Sequence, residues 1–393
     1  MITHFEIDSF KSLRSVKLDL GNINVFVGPN GVGKTNILEA IGMASTAAYG
    51  VVDDESLLRR GIRPGVPRLY KTSNRKYKTA SHISFFVGND ICSYKVSLLN
   101  PLEKPLPKWH FKTERVTLNG KDLYTRGVKN NINSENGGIP AVLAMENIPN
   151  EVLDFFNDLR AYGLYSPNTP ALRGLVPDLQ SRIPIGLSGG GLSEGLQALL
   201  ETAERDDVIA DAIDDVTALF DWVEGVETST QNANIISPSL PRMKRTVIFR
   251  DAFMKSSYNK LTAADASEGV LYALFLLVLC LSAKGPRIFS VDNIDSALNP
   301  RLVKALLRRI QLWMKDIIPE KQMFCTVHNP VALDSFDFTD EQVRLFVIDR
   351  NSDGLTSVRQ IKINEQLLNI SKEKHMPLSQ LWIDGYIGGV PDV

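Results

Sequence analysis

Cysteine is scarce in this chain of 393 residues: there are three, Cys92, Cys280 and Cys325, far apart and each in apolar surroundings. An odd, scattered set argues against a disulfide framework and offers no zinc-ligand spacing; core thiols in a reducing compartment are the expectation. Charge of one sign is also lacking, with 44 basic against 45 acidic side chains and a formal net charge of -1. No whole-chain field draws the protein toward nucleic acid or anionic lipid, although a local basic patch is compatible with a balanced total. The most apolar run, Val270 to Leu281 (VLYALFLLVLCL), has twelve residues. That is too short to cross a bilayer and reads as a buried helix. The N-terminus, MITHFEIDSFKSL, has no basic run followed by an apolar one, so no signal peptide is expected. A cytoplasmic location and no membrane partner follow. Repeats and long heptad tracts are missing as well, which leaves no place for a coiled-coil arm between residues 36 and 265.

What is present is ordinary globular composition, 44% hydrophobic and 23% charged, in a chain long enough for one large domain or two modest ones. A short strand pattern covers Phe5 to Phe10, and a fully apolar-flanked one covers Ile23 to Val27. The second runs directly into Gly28-Pro29-Asn30-Gly31-Val32-Gly33-Lys34-Thr35, after which Ile37, Leu38, Ile41 and Met43 recur at roughly helical spacing. Residues 51–135 differ: short alternating runs such as His82 to Val87 and Ser93 to Leu98 predict a β-rich lobe with long loops. Within it, residues 59–78 are rich in Arg and Lys and carry no acid. They read either as a solvated loop or as a site for phosphates or nucleic acid.

Residues 136–259 predict a mainly helical insertion, opened by Gly- and Pro-rich chain. The glycine run Gly186 to Gly195 reads as a hinge or the start of a helix, Ser193 to Glu224 as helical, and Thr228 to Ser239 as a polar connector. From Leu261 onward, helices at Val270 to Leu281 and around Leu302 to Met314 alternate with strands at Arg287 to Val291, Gln322 to Thr326 and Arg344 to Ile348. Such alternation predicts an α/β fold with a mostly parallel sheet covered on both faces. The C-terminal stretch Leu378 to Gly389 mixes large apolar groups with glycines and reads as packed onto this body, with an exposed docking peptide as the rival.

Gly28 to Thr35 fits the phosphate-binding pattern G-x-x-x-x-G-K-[ST] in the required strand-loop-helix context. Its glycines let backbone N–H groups wrap phosphates, and the helix that follows adds its positive end. Lys34 is the expected contact to the β- and γ-phosphates, and the Thr35 hydroxyl the expected contact to Mg²⁺. Asn30, Gly31, Gly33 and Asn36 complete the nucleotide-binding set. The apolar run Ile288-Phe289-Ser290-Val291 ends in Asp292, which places a carboxylate at a strand tip and makes it the second expected Mg²⁺ partner.

With these segments in view, the chain resembles an ABC-type ATPase of the branch that includes RecF and the SMC proteins. It is closer still to the small stand-alone AAA-family proteins related to the ATPase half of the OLD nuclease, as found in prokaryotic anti-phage defence. The likeness lies in FEIDSFKSLRSVKLDL and NVFVGPNGVGKTNILEAI near the start, and in Ala266-Ser267-Glu268-Gly269 as a signature motif. It continues in VDNIDSALNP at 291–300 and in Thr326-Val327-His328-Asn329-Pro330 as a switch-histidine segment. It covers residues 1–45 and 260–350 and says little about the middle. The resemblance implies a split ATPase head (1–50 and 260–393) carrying the β-rich lobe (51–135) and the helical insertion (136–259). It also implies ATP and Mg²⁺ as cofactors. Ser267 and Gly269 are implied to contact a γ-phosphate held by a second copy, which requires at least a dimer, and His328 to sense the γ-phosphate of its own site.

One departure stands out. Members of this branch usually read Asp-Glu where this chain has Asp292-Asn293, and many have histidine where Asn299 stands. An amide can orient water but cannot take its proton. ATP is therefore expected to bind normally and turn over slowly, with Asp295 as the substitute carboxylate if hydrolysis is brisk. The expected function is an ATP-driven switch that oligomerises and controls a separate effector such as a nuclease or toxin. The alternative is a RecF-like DNA repair or recombination ATPase, with nucleic acid as its partner. A transporter ATPase fits less well with the long middle region.

Overall fold

The computed structural model describes residues 1–127, 135–143, 147–230, 235–241, 243–362 and 376–387. In chain order the strands are β1 (His4–Phe10), β2 (Leu13–Asp19), β3 (Ile23–Val27), β4 (His82–Gly88), β5 (Cys92–Leu99), β6 (His110–Leu118), β7 (Lys121–Arg126), β8 (Gly163–Tyr165), β9 (Val223–Ser229), β10 (Thr246–Asp251), β11 (Lys260–Thr262), β12 (Ile288–Val291), β13 (Gln322–Thr326), β14 (Val343–Arg350) and β15 (Thr356–Ile361). The described residues fall into two units. The first is drawn from Met1–Leu164, Pro286–Ile294 and Glu320–Val393, the second from Tyr165–Gly285 and Asp295–Pro319.

The first unit contains the sheet β15-β14-β3-β13-β12-β8. Every residue of β3, β12 and β13 is buried, as strands covered on both faces must be. β3 runs parallel to both β13 and β14, and β13 parallel to β12, while β15 returns antiparallel to β14. The mostly parallel α/β sheet read from the sequence is therefore present, with β15 antiparallel at its edge. Helix α1 (Lys34–Tyr49) packs here and is buried almost all round, because its small residues let neighbours approach. A Cβ at Gly42 would stand 2.9 Å from Ile62 and 3.2 Å from the Tyr162 ring.

The β-rich lobe is a six-stranded antiparallel sheet, β2-β1-β4-β5-β6-β7, in the same unit. The opening hairpin β1–β2 belongs to it, pairing Phe5 with Val87 of β4. Its apolar face holds the Phe5–Phe85 stack (centroids 6.3 Å apart) and the edge-on Phe10–Phe85 pair at 5.6 Å. The basic segment 59–78 is only partly solvated. Arg60 and Lys71 are 5% and 3% exposed and donate to backbone carbonyls of Ser56, Arg160, Ser81 and Asn100. Arg63 and Lys76 pair with Glu39 and Asp353, while Arg68, Arg75 and Lys78 face solvent.

The second unit packs helices Leu192–Ala203, Asp207–Thr217, Glu268–Leu281 and Pro300–Leu312 with the antiparallel sheet β11-β10-β9. All of Val270 to Leu281 is buried, as the apolar run predicts. The glycine run proves to be a helix start, with Gly191 at the N-cap of Leu192–Ala203. The stretch read as continuous helix from Ser193 to Glu224 is broken at Asp206, whose carboxylate caps the next helix, and the chain becomes β9 at Val223. The three-stranded sheet was not visible in the sequence because β9 is polar, β11 has only three residues and only β10 carries an apolar run. Asn299 has a structural use, accepting from Arg301 N and Leu302 N to cap the helix that Pro300 begins.

The C-terminal stretch forms helix Leu378–Ile383 in the first unit, with Leu381, Trp382 and Ile387 buried and Ser379 bonded to Asp334. Gly388 and Gly389 lie outside the described residues. The three cysteines are all buried. Among the described residues, no helix is long and apolar enough to cross a membrane.

Candidate functional site

The strand β3 delivers the chain to the phosphate-binding loop at the sheet's carboxyl edge. Gly28 passes so close to β14 that a Cβ there would stand 2.1 Å from the Ile348 carbonyl oxygen. Gly33, at φ 112, ends the loop as the N-cap of α1, where a Cβ would meet the hydroxyls of Thr356 at 2.4 Å and Ser12 at 2.8 Å. Only glycine fits either position. Asn30 and Gly31 form the exposed tip. Lys34 is 5% exposed, its Nζ donating to the carbonyls of Gly28 (2.7 Å) and Pro29 (3.0 Å) and so lying within the ring of the loop.

Asp292, just beyond β12, reaches the first residues of α1. The Thr35 hydroxyl donates to its Oδ2 at 3.0 Å, and the Thr326 hydroxyl, at the tip of neighbouring β13, donates to its Oδ1 at 2.6 Å. Thr326 also accepts from the backbone N–H of Asn293 at 2.8 Å. Asn293 adopts φ 56, the left-handed region that asparagine tolerates better than most residues. Thr35 and Asp292, both read from the sequence as Mg²⁺ partners, meet here, and Thr326, which the sequence reading missed as a site residue, joins them. A polar residue ending a buried parallel strand beside β12 was the available signal.

Further residues fix the loop from outside. Ser12, in the turn between β1 and β2, accepts from Asn36 at 2.8 Å, and its hydroxyl lies 2.6 Å from that of Thr356. Thr356 lies 2.6 Å from the Val32 carbonyl, and Arg350 donates to the Gly31 carbonyl at 2.8 Å. Tyr162 is buried beneath, bonded to the Leu38 carbonyl at 2.8 Å and to the Ser290 hydroxyl at 2.5 Å, and burial raises its phenol pKa.

Glu39, on α1, is wholly buried between Lys11 and Arg63. Arg63 grips it with Nε at 2.8 Å and NH2 at 2.9 Å and also feels the Asp292 carboxylate. Burial alone would raise the Glu39 pKa. The hydrogen bonds from Arg63 and the charge of Lys11 outweigh it and hold the carboxyl below its ordinary value of 4.5. A depressed carboxyl pKa contributes stability that is complete above the unfolded value and is lost as pH falls through the folded one. Glu39→Gln is accordingly expected to destabilise the protein by about 2–4 kcal/mol at pH 7, since it leaves two cations beside a buried neutral amide. Urea midpoints of the two proteins should converge as the pH falls from 5 toward 3; a gap that stays constant would contradict the role of the carboxylate.

His328 is exposed, two residues past the tip of β13 in the first unit. Ser267, Gly269 and Asp295 belong to the second unit. Ser267 is the N-cap of Glu268–Leu281, yet its exposed hydroxyl makes no cap hydrogen bond. Gly269 approaches the Ala297 carbonyl, 3.3 Å from where its Cβ would be, and Asp295 is 7% exposed.

Two family profiles match the chain. An AAA ATPase domain covers residues 1–85, and an AAA domain described with the AbiEii toxin of type IV toxin–antitoxin systems covers residues 144–334. The chain is a P-loop AAA-type ATPase, both matched profiles being AAA domains. Among curated proteins, this ATPase is 38% identical over 69 residues to the DNA replication and repair protein RecF of Streptomyces avermitilis, covering 17% of this chain and 18% of that one. It is 44% identical over 69 residues to RecF of Paenarthrobacter aurescens, covering 17% of each. The matches thus span less than a fifth of the RecF proteins. Among solved structures, the ATPase resembles an Smc head bound to the C-terminal winged-helix domain of ScpA, with a TM-score of 0.52 and 13% identity over 94% of this chain and 99% of that one. An Smc head with an extended coiled coil, bound to the ScpA C-terminal domain and derived from Pyrococcus furiosus, gives 0.52 and 12% over 95% and 99%. At such identity the likeness establishes the fold.

The oxygen set at Thr35 and Asp292 suits Mg²⁺, a hard cation that keeps several waters and takes one or two protein oxygens together with substrate phosphates. The loop amides and Lys34 suit the triphosphate. The ATPase therefore carries an ATP- and Mg²⁺-compatible site.

Proposed function

We propose that this ATPase is a slow nucleotide switch of ABC type: ATP closes two copies face to face, and the closed state controls a separate effector protein in anti-phage defence. The observation that carries this reading is Asn293 beside a well-formed Asp292 site. In the proposal, Lys34, Thr35 and the loop around Asn30, Gly31, Gly33 and Asn36 hold the phosphates. Thr35 and Asp292 hold Mg²⁺, which supplies positive charge across the β- and γ-phosphate oxygens. Asn293 orients the attacking water without taking its proton, His328 senses the γ-phosphate, and Asp295 is the candidate carboxylate if one is used. Ser267 and Gly269, at an exposed helix start, contact the nucleotide of the other copy. The toxin-system description attached to the 144–334 match supports a defence setting. A nuclease or toxin gene adjoining this one would support effector control.

Light scattering tests the assembly step. With ATP and Mg²⁺ the wild-type mass should at least double at micromolar concentration, and Ser267→Arg should stay monomeric while binding ATP normally. A wild-type monomer with ATP demonstrably bound would count against the proposal.

A second reading, DNA binding as in repair, is favoured by the RecF matches and by the exposed Arg68, Arg75 and Lys78. Affinity for duplex DNA that falls steeply with salt, and that Arg75→Glu weakens, would support it.

A further inference from the structure

The second unit contains a cleft of about 900 Å³ to which neither the phosphate-binding loop nor the signature helix contributes. Five cationic side chains line it, Arg173, Arg182, Lys244, Arg245 and Lys284, against the two carboxylates of Asp178 and Glu194. Both carboxylates already have local donors. Asp178 accepts from the backbone N–H groups of Gln180, Ser188 and Gly190, at 2.9, 2.8 and 3.1 Å, and Glu194 accepts from the Ser193 hydroxyl at 2.8 Å. Two of the arginines donate to neutral groups. Arg245 donates to the Gln197 amide oxygen at 2.9 Å and the Thr228 hydroxyl at 2.8 Å, and Arg173 to the Ala266 carbonyl at 3.0 Å. The Nε of Arg173 is buried and has no hydrogen-bond partner among the described residues. A buried guanidinium N–H without an acceptor costs free energy that an incoming anion would recover.

The cleft's floor reinforces the same sign. The first turn of helix Leu192–Ala203 lines it, and the N-cap residue Gly191, at φ 78, supplies no side-chain cap. Among the described residues, no atom beyond its chain neighbours lies within 4 Å of where a Gly191 Cβ would be, so no side chain covers the helix start on that side. Leu172, Val176, Pro184 and Met243 give the cleft apolar wall as well. The volume lies within the range of small-molecule sites, roughly 300–1,000 Å³, and exceeds what a bare inorganic anion needs.

From this lining we infer a second ligand site, for an organic phosphate of mononucleotide size. Its phosphate sits between Arg173, Arg245 and the Leu192 helix start, and its ring rests on the apolar wall. The site gives the second unit a chemical input of its own, distinct from ATP.

The test uses the full chain saturated with ADP and Mg²⁺, so that the phosphate-binding loop is filled. Ribonucleoside 5′-monophosphates, inorganic phosphate and a decaglutamate peptide are then titrated calorimetrically. At least one monophosphate should bind with Kd below about 1 mM and at least about tenfold more tightly than inorganic phosphate. Arg173→Gln and Lys284→Gln should each weaken it about fivefold or more. ADP affinity measured on each variant must match wild type; if Arg173→Gln fails that check, Lys284→Gln, at the rim, decides. The inference is overturned if no monophosphate binds, if the folded variants bind it unchanged, or if decaglutamate binds more tightly and displaces it, which would make the cleft a peptide site.

Discussion

Lys34→Ala is expected to weaken ATP binding by about two orders of magnitude or more and to remove every ATP-dependent property. Lys34 is 5% exposed and its ammonium is held by two carbonyls of the phosphate-binding loop, so it is already largely desolvated within that loop. Truncating one partner of a buried, hydrogen-bonded charge pair typically costs about 2–5 kcal/mol, because the other partner keeps its desolvation cost without compensation. Here the uncompensated groups are the triphosphate oxygens and the carbonyls of Gly28 and Pro29. Titration calorimetry with ATP and Mg²⁺ reads the loss directly. An affinity unchanged within error, in a variant that melts like wild type, would remove Lys34 from the site.

Asn293→Glu is expected to raise ATP turnover, and this is the second large effect. A positioned acid or base is worth about 10²- to 10⁴-fold in rate. The backbone here works against the full gain. Asn293 sits at φ 56, and a glutamate in the left-handed region costs about 1–2 kcal/mol more than a residue in an ordinary conformation. The anchor is independent of the side chain, since it is the backbone N–H of residue 293 that donates to Thr326. A gain of about 10- to 10³-fold at saturating ATP is therefore expected, with ATP affinity nearly unchanged. The opposite outcome is equally readable. Wild-type turnover of about 1 s⁻¹ or faster, abolished by Asp295→Ala, would make Asp295 the catalytic carboxylate and end the slow-switch proposal.

Much of the site was legible because its parts carry local signatures. Gly28 to Thr35 declares its glycines, and the mostly apolar run before Asp292 gains its meaning as an interior strand from that loop. What the sequence hid are contacts between distant segments. Thr326, Thr356, Ser12 and Arg350 are unremarkable polar residues in their own stretches, and they matter only because β13, β14, β15 and the β1–β2 turn converge on one loop. Glu39 was hidden for a related reason. A lone acid in an apolar helix reads as a surface position until Lys11 and Arg63 are seen closing over it. The basic segment was legible as charge but not as burial, because Arg60 and Lys71 reach inward to carbonyls that no local pattern announces. In the middle region, β9 and β10 pair across a long connector, and that length masks the hairpin signal, so the end of β9 was read as part of a polar connector.

The loop's dependence on β14 and β15 has a consequence for the order in which the protein comes into being. Thr356 holds the carbonyl of Val32 across 324 positions of sequence, and β3 has no parallel neighbour until β13 is made. The hairpins β4–β5, β5–β6 and β6–β7, by contrast, close between strands that follow one another directly. Local pairings form before long-range ones, so a nascent chain on the ribosome can complete these hairpins while β3 still waits for its partners. ATP can find its full site only after residue 356 has emerged. A message cut short anywhere between β7 and β15 would then release a chain with folded hairpins and no finished nucleotide site.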